Sequence, residues 1–130
     1  MPQDPAPLGP EAQFLAALAE GRLMLQRARG SGRAIFPPRL AEPGTGYTGH
    51  DSVEARGVGL VHSVTVQYPR LPAPPHAVVL VDLDEGVRML SHMPNVPADT
   101  IRIGDRVRAR IVTGGEIPMV VFDPIPEGPA

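Results

Sequence analysis

Arginine is the residue type with the most chemical promise in this chain. Arg106, Arg108 and Arg110 stand at every second position of an alternating run from Asp105 to Val112. In an extended strand that spacing puts three guanidinium groups on one face, with Val107, Ala109 and Ile111 on the other. Like charges in a row repel unless they are solvated or meet anions. Guanidinium pairs well with phosphate and carboxylate, so the ladder is either a solvated outer face or a contact for an anionic ligand or acidic partner.

Other reactive residue types do not assemble. His50, His62, His76 and His92 are far apart, with no second histidine or carboxylate at metal-ligand spacing, and read as structural or exposed. Asp84 and Glu85 are adjacent, so they point apart, and with Gly86 they make ordinary turn chemistry. Ser63 has no nucleophile-elbow surroundings. Gly57 and Gly59 do not open a helix, so they are not a dinucleotide fingerprint. No set of residues supplies nucleophile, base and oxyanion donors together, and the chain is expected to have no catalytic residues.

Composition narrows the classes further. A chain of 130 residues predicts one domain with a small lobe attached. The 17 prolines and 14 glycines favour short strands and turns over long helices. All 12 basic residues are arginines, which reads mainly as genome composition. A net charge of −2 gives no general attraction for nucleic acid or anionic membrane. With no cysteine, disulfides, thiolate catalysis and cysteine-ligated metals are excluded. No apolar run approaches the ~20 residues needed to cross a bilayer. Met1 to Pro10 lacks the basic and apolar regions of a signal peptide, so a cytoplasmic location is expected.

The elements that would position the arginines centre on Ser52 to Leu90. Val58 to Tyr68 and Ala77 to Leu83 are β-branched runs bounded by turn formers, which predicts paired strands. In the first, Val58, Leu60, Ser63 and Thr65 change parity around His62, so a bend or bulge is expected there. The second is almost continuously apolar and predicts a strand covered on both faces. Asp84-Glu85-Gly86 turns the chain into Val87 to Leu90. Ser91 to Gly104 reads as loop with one helical turn. The arginine run then forms a strand, Gly114-Gly115 turns, and Ile117 to Phe122 closes the set. Five such strands with an excursion before the fourth predict an all-β OB-fold barrel over residues 52–124, with 125–130 as tail. That fold raises single-stranded nucleic-acid binding as an alternative function. Tyr68 and Phe122 are the aromatics of the barrel region, however, and base stacking needs aromatic platforms beside a basic groove, so no nucleic acid is expected.

Ahead of the barrel, residues 1–21 form a proline-rich lead and a short helix. Pro10 suits its first position and Gly21 its end, and Phe14, Leu15 and Leu18 form an apolar stripe. The helix is too short to be stable alone and must dock on its own domain or on a partner. Residues 22–51 form a thin hairpin lobe: a strand over Arg22 to Arg27, a turn at Gly30-Ser31-Gly32, a return through Ala34-Ile35-Phe36 and a stop at Pro37-Pro38. Leu40 to Asp51 reads as aperiodic loop. A lobe with so little core needs a staple.

Taken together, several segments resemble domain-of-unknown-function family thirty-five, a rubredoxin-like zinc ribbon followed by an OB-fold. They are Leu25-Gln26-Arg27, Phe36-Pro37-Pro38-Arg39, Arg56-Gly57-Val58-Gly59, Val61 to Val66, Leu83-Asp84-Glu85-Gly86, Ile103-Gly104 and Pro118-Met119-Val120-Val121-Phe122. Their order and spacing carry the resemblance, which runs from about Phe14 to Pro124. The family pattern has two Cys-x-x-Cys pairs around the Phe-Pro-Pro element. Here the four metal positions fall on Ala28, Ser31, Glu42 and Thr45. Zinc favours cysteine and histidine, so the resemblance implies a degenerate ribbon without zinc.

It also implies a function. Family members resemble accessory subunits of acyl-CoA enzymes that partner thiolase-fold proteins or hot-dog hydratases. The expectation for this chain is a non-catalytic accessory subunit, most of all of a thiolase-type enzyme, that helps to bind or position a coenzyme A ester. An enoyl-CoA hydratase of hot-dog fold is the alternative partner. No covalently bound cofactor is expected. Arg106, Arg108 and Arg110 are then the candidate contacts for coenzyme A or partner. Phe36, Pro37, Pro38 and Arg39 are candidates for partner docking, because Phe and Arg are enriched in interfaces.

Overall fold

A computed structural model of the chain describes residues 9–46, 48–70 and 73–126. Helix α1 (Pro10–Ala19) begins at the proline and ends at Gly21, where φ is +82°. Amide groups of Gly21 and Arg22 donate to the carbonyls of Leu18 and Ala17, which closes the helix end. The helix docks on its own domain. Leu18 is fully buried, and the Phe14 ring meets Phe36 edge-on, with centroids 5.5 Å apart.

Strands β1 (Met24–Ala28), β2 (Ala34–Ile35) and β3 (His50–Glu54) form a three-stranded antiparallel sheet in the order β2-β1-β3. The strands expected over Arg22 to Arg27 and Ala34 to Phe36 are β1 and β2 to within a few residues, but the stretch expected as loop, Leu40 to Asp51, runs into a strand. In fact β3 starts at His50 and pairs with β1 from Ala28↔His50 to Met24↔Glu54. The expected division between residues 51 and 52 therefore falls inside a strand of the lobe. The reason it went unseen is physical: HDSVE is polar and mostly exposed, and backbone pairing rather than an apolar face makes it a strand.

The barrel comprises β4 (Val58–Gln67), β5 (His76–Leu83), β6 (Arg88–His92), β7 (Arg106–Val112) and β8 (Met119–Pro124), in the order β6-β5-β4-β7-β8. A single 3-10 turn, Ala98–Thr100, lies in the excursion between β6 and β7. The sheet curls until β6 and β8 approach, where the Ser91 hydroxyl donates to the Val120 carbonyl at 2.5 Å. This is the expected OB-fold. The parity change in β4 is a bulge at His62: Val61 pairs with Val81 and Ser63 with Leu80, so His62 is the extra residue.

One expectation about β5 is corrected. Ala77, Val79, Val81 and Leu83 are buried, but Val78, Leu80 and Asp82 are only half-buried. The strand has a neighbour on each side in its sheet, yet one of its faces is only partly covered. A run of β-branched residues does not distinguish these cases.

The core is continuous between lobe and barrel. Leu18, Leu23 and Leu25 belong to one buried cluster with Val61, Val79, Val81, Val107 and Phe122. Among the described residues no helix is long and apolar enough to cross a membrane.

Candidate functional site

The lobe is held by hydrogen bonds from two buried polar side chains. Gln26, on β1, clamps the backbone of Arg39: its Oε1 accepts from the Arg39 N–H and its Nε2 donates to the Arg39 carbonyl, both at 2.8 Å. That bond pair sets the path of the Phe36-Pro37-Pro38-Arg39 segment, whose Phe36–Pro37 peptide is cis. Phe36 itself is half-buried against Phe14 and the core, while Pro37 and Arg39 are exposed. Of the four residues expected to dock a partner, Phe36 thus has an internal packing role, Pro38 is half-buried, and Pro37 and Arg39 lie open.

Glu42 is the second. Its side chain is 3% exposed although it lies in a loop. Oε2 accepts from the Ser31 hydroxyl at 2.5 Å and from Nε and Nη2 of Arg33 at 3.1 and 3.0 Å. Oε1 accepts from the Thr45 hydroxyl at 2.7 Å. Ser31 Oγ in turn accepts from the Arg33 N–H at 3.2 Å. The hydroxyls of Ser31 and Thr45, with Arg33, hold the Glu42 carboxyl below its usual range against the opposing effect of burial. Three of the four positions that the resemblance assigns to a metal are therefore joined directly, and the fourth, Ala28, is buried at the base of the same hairpin. This donor set does not fit zinc. Ala28 offers no ligand atom, Ser31 and Thr45 offer neutral hydroxyls, and both Glu42 oxygens already accept hydrogen bonds, one of them from a cation.

A cleft of about 430 Å³ opens beside this network, between the lobe and the β5–β6 turn. Arg33, Phe36 and Glu42 line one wall, and Glu85 and Arg88 the other. Glu85 Oε2 accepts from the Arg56 N–H at 3.0 Å, whereas its Oε1 is buried without a hydrogen-bond partner. Arg88 pairs with Asp82 at 2.7 Å, and His62 Nδ1 lies 3.3 Å from the same carboxylate. The Arg88 hydrogen bond holds the Asp82 carboxyl below its usual range.

The arginine ladder sits elsewhere. Arg106 and Arg108 are exposed on β7 as the alternation requires. Arg110 is not a free cation: its Nε donates to Asp123 Oδ2 on β8 at 2.8 Å. Arg108 and Arg110 border a separate groove with Asp123 and Pro124. The structure thus does not bring the ladder and the Phe36–Arg39 segment into one cleft. The histidines are not all apart either, because β5 and β6 place the rings of His76 and His92 with centroids 6.1 Å apart. Among the described residues there is still no group of three or more potential metal ligands. The resemblance already sets Ala28, Ser31, Glu42 and Thr45 around one centre; the burial of Glu42 there and the part of Arg33 follow from the loop path, which no residue spacing signals.

Both lowered carboxyls predict acid sensitivity. A carboxyl whose folded pKa lies below its unfolded value stabilises the fold above the ordinary carboxylate range. That contribution is lost as pH falls through the range toward the folded value. An acid titration followed by amide exchange should therefore open the lobe as Glu42 takes up its proton, and Glu42→Gln should remove that step. The Asp82 part should shrink in high salt, because its pair with Arg88 is about half exposed.

Comparison with known proteins turns on extent. A chain of the Ltp2-ChsH2(DUF35) aldolase is 32% identical, with a TM-score of 0.78, and the match covers 93% of this chain and 98% of that one. The chain belongs to the DUF35 family. A sequence model of the ChsH2 C-terminal OB-fold domain matches residues 52–112, from late β3 through β7. A DUF35 protein of unknown function from Sulfolobus solfataricus shares the fold, with a TM-score of 0.63 at 16% identity, over 87% of this chain and 83% of that one. A probable enoyl-CoA hydratase alpha subunit from Thermomonospora curvata is 34% identical over 96 residues, which are 72% of this chain. This chain spans only 30% of the length of that relative.

Proposed function

We propose that this DUF35 protein is the non-catalytic accessory subunit of an acyl-CoA enzyme, most of all an aldolase with a thiolase-type partner, and that it helps to bind or position the coenzyme A ester. The observation that carries the reading is the near full-length similarity to a chain of the Ltp2-ChsH2(DUF35) aldolase. The site chemistry supports it. The Glu42 carboxylate to which the Ser31 hydroxyl donates is already saturated by Thr45 and Arg33, which makes it a poor base, and Asp82 is held by Arg88. Arg106 and Arg108 remain exposed and suited to phosphate, whereas Arg110 is committed to Asp123.

The Thermomonospora curvata relative favours a second partner, an enoyl-CoA hydratase. Size-exclusion chromatography with the thiolase-like protein, and separately with the hydratase, encoded nearest to the chain distinguishes the two. A stable complex should bury on the order of 1,200–2,000 Å² in total. Separate elution from both at micromolar concentration, with full activity in either enzyme alone, overturns the accessory role.

The arginines give a finer test. Arg108→Ala should weaken binding of the coenzyme A ester or partner while changing stability by less than about 0.5 kcal/mol. Arg110→Ala should instead lower stability by up to about 1 kcal/mol, because it leaves Asp123 without its cation. Urea denaturation and a binding titration separate these effects. Unchanged binding in Arg108→Ala leaves the ladder as a solvated face.

A further inference from the structure

We infer that the Glu42 network is the staple of the lobe and stands in the place of a metal. The lobe is a thin three-stranded sheet, and among the described residues of its loop, 40–46 and 48–49, none belongs to a strand. In the absence of cysteine no disulfide can close it. Gln26 clamps the chain at Arg39 and the Arg29 N–H donates to the Gly49 carbonyl at 3.0 Å, and between these two ends one buried carboxylate ties the loop to the β1–β2 hairpin. From the hairpin it takes the Ser31 hydroxyl and two N–H groups of Arg33, and from the loop the Thr45 hydroxyl. Backbone bonds extend the tie on both sides: Gly46 N–H donates to the Glu42 carbonyl at 3.0 Å, and Gly32 N–H to the Ala28 carbonyl at 2.8 Å.

The charge pattern of a metal centre is inverted here in a consistent way. In a metal site a central cation gathers several electron-rich ligands. In this lobe a central anion gathers several donors, and the Arg33 guanidinium supplies the positive charge from the rim, where it is 63% exposed. A carboxylate accepts about four hydrogen bonds, and Glu42 receives four. Burying that charge is tolerable because charge-assisted bonds meet it on both oxygens. The lobe is consequently formed by its own residues, independent of metal supply and before any partner arrives. The exposed Pro37 and Arg39 are then presented ready-made, which is a separate matter from whether the partner is an aldolase or a hydratase.

The test uses the full chain expressed in zinc-supplemented medium. Elemental analysis should find no stoichiometric zinc, and chelator should leave amide exchange unchanged. Glu42→Gln keeps the side-chain size but removes the charge and turns one acceptor into a donor. It should speed exchange at the Gly32 and Gly46 amides by about tenfold or more, while amides of β4 and β5 keep their protection. Thr45→Val should produce a smaller change confined to the loop. Finally, a chain carrying Ala28→Cys, Ser31→Cys, Glu42→Cys and Thr45→Cys should take up one zinc and regain a protected lobe. The inference is overturned by stoichiometric zinc in the unaltered chain, by unchanged exchange in Glu42→Gln, or by a folded four-cysteine chain that binds no zinc. None of these readouts depends on the partner.

Discussion

Gly59→Ala should be among the most damaging single substitutions in the barrel. Gly59 lies in β4 between Leu83 of β5 and Val107 of β7. A Cβ there would overlap the Asp82 carbonyl oxygen, 2.9 Å from the carbonyl carbon and 3.0 Å from Leu83 Cα. These are backbone atoms, so no side chain can rotate away, and the β4–β5 ladder itself must shift. Overpacking in a core costs about 1–3 kcal/mol and sometimes more. Here the upper end of that range is expected, with a fall in melting temperature on the order of 10 °C for a domain of this size. Thermal unfolding measures it. The backbone at Gly59 has ordinary φ, so its need for glycine comes from close approach alone. A Gly59→Ala chain that melts within a degree or two of the parent would show that the strands do not approach as described.

Phe122→Ala should cost about 3–5 kcal/mol, the range for deleting a large buried ring. Phe122 is 0% exposed and sits in β8 opposite Ala109 of β7, at the centre of the buried cluster. Against a total stability of about 5–15 kcal/mol, that loss leaves little margin. Tyr68→Ala should do almost nothing by comparison, because that side chain is 78% exposed. Urea denaturation of the two variants also bears on the nucleic-acid alternative. Stacking requires exposed rings, and of the two barrel aromatics only Tyr68 is available for it. A Phe122→Ala chain as stable as Tyr68→Ala would place the ring outside the core and reopen that alternative.

Several features could be read from residue order alone because they follow from short-range rules. The parity change around His62 required a bulge, since side chains alternate strictly along a strand and Val61 and Val64 both face the core. Alternation likewise separated Val107 from Arg106 and Arg108. Pro10 and Gly21 bounded the helix through the backbone angles each one allows.

What tertiary structure decided was which residues meet across long separations. β3 became a strand because β1 offered it a backbone partner, which its polar residues do not signal. Arg110 lost its freedom because β8 carries Asp123 beside it, and His76 met His92 because β5 pairs with β6. A lobe so poor in core needs a staple, and composition alone does not say where it comes from. Its leucines share the barrel core, and a loop turn delivers Glu42 to Ser31 and Arg33. Local sequence specifies the strand period and the turn; the depth of a carboxylate and the donors around it depend on how separate segments pack.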